Sequence, residues 1–537
     1  MSHVLIVGSG ASGVHLAHTL LERGFAVTML DVGLERPAPV LPEADFDGLK
    51  ARLDDPASYF LGLGGQAVVY PAEQAKFYSF PPSKNYVFAG APGFRVSPTG
   101  FAPVTSFAAG GLAEAWTGGV YPFNDAELED FPFGYSALAP HYGTVARRIG
   151  VSARRDDLER FAPWCDEYLD PLDTDPHATH LLARYEARRG TLNHSFGFYL
   201  GRSRVAVLSR ARGDRSDCGY LGRCLWGCPR DALYGPSHTL RELRRHPAFD
   251  YVSGVCVTRF DYADGRVTGV RARPVNGGAE RVFTARVYAL AAGTLCSSQI
   301  LLESIYRKTG QILELGGLMD NRQMMVPFVN LGLLGRPVAT HSYQFHQIAL
   351  GITRDRPEEY VHGQVTALKS ASVHPVLQNL PVDLRSALTV FRMTHAALGV
   401  ANLWLHDRRR ASNIVTIRPR PTGDGSDLVI RYDERKDEAQ VARTLRTVKR
   451  AFRRLGCLVP PGMAKVLPMG ASIHYAGTVP MARQRKELTC DPECRSYDFR
   501  NLYLADGASF PFLPAKNLTF TLMANAVRIG NALRVSG

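Results

Sequence analysis

The 537-residue chain lacks any apolar run of the roughly 18 to 20 residues that a membrane-spanning helix needs. It also lacks internal repeats and low-complexity tracts. With 45% hydrophobic and 21% charged residues it is no collagen-like, coiled-coil or disordered chain. Met1-Ser2-His3 runs straight into the apolar stretch Val4–Val7, with no charged leader and no cleavage site. No secretory signal is therefore expected, and a cytoplasmic location is the default. Cysteine is sparse, and its count of nine is odd. In a reducing compartment these should be thiols, ligands or core residues rather than a disulfide framework.

Acidic residues are outnumbered: Lys and Arg total 63 against 50 Asp and Glu, a net charge of +13. Such a balance can signal nucleic acid or an anionic surface. The run Arg408-Arg409-Arg410 is too short for a binding arm. Arg443, Arg446, Lys449, Arg450, Arg453 and Arg454 recur at helical spacing, and Val441, Leu445, Val448 and Phe452 fill another face. This predicts an amphipathic surface helix over 436–455 with a solvated basic side. Aromatic residues do not interleave with the basic face as a nucleic-acid module would require, so no nucleic-acid partner is expected.

Glycine is modestly abundant, at 50 residues, and the first cluster is informative. Val4–Val7 reads as a strand and is followed by Gly8-Ser9-Gly10-Ala11-Ser12-Gly13. Val14, Ala17, Leu20 and Leu21 then keep a helical period up to Gly24. Phe25–Leu30 reads as a second strand that ends in Asp31. Strand, glycine turn, helix, strand and acid make the start of a dinucleotide-binding βαβ unit. Gly8 permits the tight turn, Gly10 admits a pyrophosphate, and Gly13 lets helix and strand approach. The helix N-terminus, with Ala11 and Ser12, favours the phosphate charge. Asp31 suits a ribose hydroxyl. The turn alone does not separate NAD from FAD.

Further along, 34–105 is rich in Pro, Gly and aromatics and reads as loops and short helices over a cofactor. Residues 125–200 read as mostly helical. Tyr251–Arg273 alternates as a hairpin about Asp264-Gly265. Val282–Ala292 reads as a strand leading to Gly293 and a helix. Several β-rich stretches fall in 323–432.

Near the C-terminus stand His474-Tyr475-Ala476-Gly477-Thr478, then Ala505-Asp506-Gly507, then Lys516-Asn517-Leu518-Thr519 before an apolar helix. Taken singly, His474 reads as structural and Asn517 as a helix cap. Taken together, the ordered motifs resemble the glucose–methanol–choline (GMC) oxidoreductase family. These are the Gly8 turn, Gly110-Gly111 with Trp116-Thr117-Gly118, Ala291-Ala292-Gly293, and the His474 and Asn517 segments. The resemblance spans essentially the whole chain.

The resemblance implies FAD, with further cofactor contacts from Val257, Ala292, Gly293, Asp506, Gly507, Leu518 and Thr519. It implies oxidation of an alcohol to a carbonyl. His474 would act as the base, Asn517 would donate to the developing alkoxide, and the hydride would go to flavin N5. Ala115 stands where some members carry the histidine that bonds FAD covalently, so non-covalent FAD is expected. Asn321, after Met319-Asp320, stands where the family often has His. Leu518 stands where it usually has Pro.

Cys218, Cys224 and Cys228 form a C-x5-C-x3-C run before Pro229. Such density suggests iron–sulfur or zinc ligation, with plain thiols as the other reading. The spacing resembles the [3Fe-4S] run of bacterial sugar dehydrogenase subunits in the same family.

The expected fold is α/β, α+β overall. A discontinuous Rossmann-like FAD-binding domain comprises 1–124, 206–309 and 456–537. A sheet-plus-helix substrate domain comprises 125–205 and 310–455. The expected function is FAD-dependent oxidation of a sugar, amino sugar or polyol. It includes 6′-hydroxyl oxidation of a paromamine-like aminoglycoside precursor. The alternatives are a dehydrogenase subunit relaying electrons through a [3Fe-4S] cluster to an electron-acceptor protein, and an FAD-containing lyase.

Overall fold

A computed structural model describes residues 3–36, 43–62, 81–369, 381–433 and 437–534. Its first layer is a five-stranded parallel sheet ordered Leu502–Leu504, Val287–Leu290, His3–Val7 (β1), Ala26–Leu30 (β2) and Phe249–Val252. Val4, Leu5, Ile6 and Val7 are all buried. That continuous apolar run is what a central parallel strand, covered on both faces, requires. Helix Ala11–Glu22 (α1) crosses from β1 to β2. It packs on the C-terminal helix Thr519–Ala532, where a Cβ on Gly530 would come within 2.8 Å of Thr19 Cγ2. A side chain there would force the two helices apart.

Val255–Ala263 and Arg266–Pro274 form the expected hairpin. Asp264 (φ 47°) and Gly265 (φ 67°) both take the left-handed conformation of a type I′ turn. Of the region 34–105, the described part holds short helices at Phe46–Arg52, Pro56–Leu61 and Pro82–Phe88. Residues 37–42 and 63–80 lie outside the description.

A second sheet is antiparallel, ordered Cys457–Leu458, Arg322–Asn330, Leu398–Leu405, Val361–Ala367, Ile348–Ile352 and Phe198–Arg202. Its two faces follow the period-two alternation of its strands. Val361, Val365, Ala401, Leu403 and Leu405 point into a core shared with helix Glu438–Arg454, which buries Val441, Val448 and Phe452 there. His362, Gln364, Asn402 and Trp404 point the other way. They form cross-strand pairs, His362 with Trp404 and Gln364 with Asn402.

A third sheet has four strands, Glu314–Gly316, Ile414–Pro419, Ser426–Arg431 and Val96–Thr99. Three of its strands come from 310–455, the stretch read as substrate domain. Yet Leu315, Val415, Ile417, Leu428 and Ile430 pack in one cluster with Leu5, Leu290 and Leu504 of the parallel sheet. Alternation identifies a strand but does not say which sheet its inward side chains will meet. Among the described residues no helix is long and apolar enough to cross a membrane.

Candidate active site

A cavity of about 640 Å³ runs along the C-terminal edge of the parallel sheet, from Asp31 to His474. This is where open α/β sheets place their ligands. Gly8, Gly10, Ala11 and Ser12 line one wall. Gly8 takes φ +100°, and a Cβ there would lie 2.7 Å from Ala291 O; one on Gly13 would lie 2.0 Å from Gly8 O. Both positions therefore exclude any side chain. A Cβ on Gly10 would meet no atom within 4 Å; it would stand in the cradle itself. Gly10 caps α1 without a side-chain bond, so the first amides of a helix face the cavity, as an anion requires.

Asp31 directly follows β2 and accepts from Ser9 Oγ and from Tyr251 Oη at 3.0 Å. Burial pushes its carboxyl up to about 6. No cation neutralises it within those contacts, so a ribose hydroxyl is a fitting donor. Ser9 and Tyr251 belong to this site but stood outside the sequence reading, since neither glycine spacing nor the acid marks them.

The other expected contacts divide. Gly111, Val257, Ala292, Gly293, Asp506, Gly507, Leu518 and Thr519 line the cavity. Asp506 accepts from Gly293 N (3.0 Å), Ser297 Oγ (2.5 Å) and Ala508 N (3.0 Å), tying the Gly293 turn to the C-terminal segment. Gly13, Gly110, Trp116, Thr117 and Gly118 stand off the cavity wall. Gly110 (φ +93°) starts the turn Gly111–Ala115 and donates to Ser9 Oγ at 2.9 Å. Trp116 donates to Tyr234 O at 2.7 Å, and Thr117 O accepts from Tyr343 at 3.0 Å. These bonds fix the shape of the loop.

At the far end the side chains form a directional chain. Asn321 Nδ2 donates to Leu405 O and Pro514 O, both at 2.9 Å. Its Oδ1 therefore faces His474 Nδ1, at 2.9 Å. His474 Nε2 faces Asn517 Nδ2 at 3.3 Å. Asn517 Oδ1 in turn accepts from Gln364 Nε2 at 2.5 Å. Gly119 lies beneath this last pair, and a Cβ on it would come within 2.6 Å of Gln364 Nε2. Burial pushes His474 down to about 4, so its imidazole is neutral at ordinary pH.

Neighbouring residues hold both ends of this pair. Lys516, fully buried, donates to Glu127 (2.5 Å), Phe161 O (2.6 Å) and Pro122 O (2.7 Å). All three of its protons are used, which pins the chain next to Asn517. On the other side Ile473 takes φ +63°. For a β-branched residue that is strained by about 1–3 kcal/mol and persists only where surrounding contacts hold it. Trp404 stands 6.2 Å from the His474 ring, and His362 stacks on Trp404 at 6.0 Å. Among the described residues Trp404 Nε1, His362 Nε2, Asn402 Oδ1 and Tyr360 Oη find no protein partner.

Residues 203–322 and 410–526 match the N-terminal and C-terminal profiles of GMC oxidoreductases. The chain belongs to the GMC oxidoreductase family. It is an FAD-dependent oxidoreductase acting on alcohol groups, and the Gly10 cradle, the free helix amides and Asp31 fit FAD. Among its relatives, paromamine 6′-oxidase of Streptomyces fradiae is 24% identical, covering 99% of this chain and 91% of that one. C-glycoside 3-oxidase of Arthrobacter globiformis is 27% identical, over 98% and 93%. The solved pyridoxine 4-oxidase from Mesorbium loti shares the fold, with a TM-score of 0.60, 14% identity and 99% coverage of both chains.

The structure does not assemble the iron–sulfur ligand set expected of Cys218, Cys224 and Cys228. Among the described residues no group of three or more His, Cys, Asp or Glu side chains is disposed to hold a metal ion. The three cysteines pack against Val205, Val207 and Tyr343. Burial pushes the Cys218 thiol up to about 11 and Cys224 higher still. All nine cysteines are free, Cys490 and Cys494 included.

Proposed function

We propose that the chain oxidises a hydroxyl of a sugar or amino sugar to a carbonyl, with His474 as the base. The observation that carries this reading is the pair His474 Nε2 and Asn517 Nδ2, one acceptor and one donor 3.3 Å apart, with His474 lining the cavity. An alcohol fits between two such groups. Its O–H donates to Nε2, and its oxygen accepts from the Asn517 amide. The bond that these two side chains make with each other is long and easily exchanged for two better ones. FAD, when bound, supplies the hydride acceptor. As hydride leaves carbon, His474 takes the hydroxyl proton, and Asn517 stabilises the negative charge on oxygen.

The sugar assignment draws on the polar face of the second sheet. Trp404 stands beside His474, His362 stacks on Trp404 and Tyr360 adjoins His362, and these three, with Asn402 on the same sheet face as Trp404, carry unpartnered donors and acceptors. Buried polar atoms of this kind suit a ligand with several hydroxyls. The relatives' activities on paromamine and on C-glycosides agree with that class, and a paromamine-like 6′-hydroxyl is the specific reading. We place the substrate-binding part on this sheet and the cofactor part on the parallel sheet. Strands Glu314–Gly316, Ile414–Pro419 and Ser426–Arg431 go with the latter.

The test is anaerobic mixing of the holoenzyme with paromamine, C-glycosides and simple sugars while flavin absorbance is followed. At least one should bleach the flavin, and His474→Ala should keep its flavin but bleach far more slowly. A variant that bleached at the wild-type rate would remove His474 from the chemistry.

A further inference from the structure

Asp320 and Asn321 are completely enclosed, with relative exposures of 0% and 1%. Both act on the short segment that carries His474. Met319 joins that segment by a backbone bridge, donating to Ala476 O at 2.9 Å. Asp320 accepts from Gly470 N at 2.6 Å and from Ser472 Oγ. Ser472 Oγ accepts in turn from His474 N at 3.2 Å. Asp320 thus grips the loop on the near side of Ile473, the residue held at φ +63°. Asn321 grips the ring on the far side.

The grip on the ring has a definite polarity. An amide group has an acceptor end and a donor end. Two backbone carbonyls, Leu405 O and Pro514 O, both face the Asn321 nitrogen. The other end must then be the oxygen, and an oxygen facing His474 Nδ1 can only accept. The Nδ1 proton is therefore present and the Nε2 proton absent. The far side of the ring agrees: Asn517 Nδ2 faces Nε2, and Gln364 fixes Asn517 by taking its oxygen. Every link from Gln364 to the two carbonyls runs in one direction, and reversing any one of them would set donor against donor or acceptor against acceptor.

We propose that Asn321 is a positioning residue that fixes His474 as the Nδ1–H tautomer and so keeps the Nε2 lone pair on the substrate side. The consequence for catalysis rests on the reading of His474 as base. The tautomer itself does not. An imidazole free to exchange tautomers would spend part of its time with a proton on Nε2, where it cannot accept one from an alcohol. A residue supplying only bulk at position 321 would hold the loop yet leave that choice open.

The experiment is 15N NMR of the FAD-loaded protein labelled at histidine, the His474 signals being identified by their loss in His474→Ala. The wild type should show a protonated Nδ1 and an unprotonated Nε2. In Asn321→Leu, similar in size and unable to accept, the two nitrogen shifts should move towards each other as the tautomers mix, with flavin still bound. A protonated Nε2 in the wild type would overturn the proposal without any variant being needed. So would an unchanged tautomer pattern in a flavin-loaded Asn321→Leu. Failure of the base reading shows elsewhere, as a His474→Ala protein whose flavin is reduced by sugar at full rate.

Discussion

Asn517 Nδ2 donates to His474 Nε2 across 3.3 Å, and each side chain is held from behind by a second amide, Gln364 and Asn321. Two groups of opposite polarity thus meet where His474 lines the cavity. Removing them should have different costs. Loss of a fixed donor to a developing oxyanion slows the chemical step by roughly 10²–10³-fold. Loss of a general base costs on the order of 10²–10⁴-fold. Single-turnover flavin reduction in Asn517→Ala and His474→Ala should show both losses with flavin content unchanged. Because the two act on one proton transfer, the double variant should lose far less than the product of the single effects.

The pH dependence follows from burial. The low-dielectric setting of His474 disfavours its charged form and sets it at about 4. The base is therefore free at neutral pH and is lost by protonation only as the pH falls towards that value. The flavin-reduction rate should be flat from neutrality through mild acid and decline near about pH 4. Stability follows the same sign. A histidine with a depressed pKa contributes stability that is fully present above its unfolded value of 6.5 and is lost as the pH drops through the folded value. An acid limb near 6.5 in the reduction rate would mean that His474 is hydrated rather than buried.

Gly119 offers a test that leaves both polar partners in place. A Cβ there would lie 2.6 Å from Gln364 Nε2 and 3.0 Å from Asn517 Oδ1. Gln364 must give way, and its bond to Asn517 Oδ1 shifts with it. A displacement of even 1 Å at a reacting group can cost about 10²-fold. Gly119→Ala should therefore lower kcat at least roughly tenfold while flavin content and melting temperature stay close to wild type. A variant with unchanged kcat would show that the Gln364–Asn517 contact is not needed.

The parts of this site that the sequence made legible are those written in local spacing. Gly8, Gly10 and Gly13 stand at fixed intervals between a strand and a helix, and Asp31 closes the next strand. The turn's chemistry could be read without knowing the rest of the fold. Asn321 and Gln364 could not be found that way. They lie 153 residues from His474 and from Asn517 respectively, and nothing near them in sequence says which cavity they will face. Trp116 and Thr117 show the opposite relation: the same glycine-rich spacing marks them, and their indole and carbonyl bond to Tyr234 O and Tyr343 Oη, partners that spacing does not announce. The cysteine run carried a spacing only: the three thiols share one apolar cluster, and among the described residues no set of three ligands is disposed to hold a metal.

The mode of flavin attachment can be argued from one residue. Ala115 ends the turn Gly111–Ala115, and a methyl group offers no nucleophile. Two thiols line the cavity, Cys256 and Cys296; both are half-buried, and desolvation pushes Cys256 up to about 11 and Cys296 further. A thiol held protonated in this way is a poor nucleophile towards the flavin ring. The cofactor should then be held only by the Gly8–Ser12 cradle, Asp31 and the packing of the cavity walls. Acid precipitation should release all the yellow colour to the supernatant. Asp31→Ala, which removes the expected ribose acceptor and leaves Ser9 and Tyr251 without their shared partner, should weaken retention of FAD on dialysis by about tenfold or more, a loss of roughly 1.4 kcal/mol. Colour remaining in the pellet would instead point to a covalent bond, and mass spectrometry of the flavin-bearing peptide would locate it.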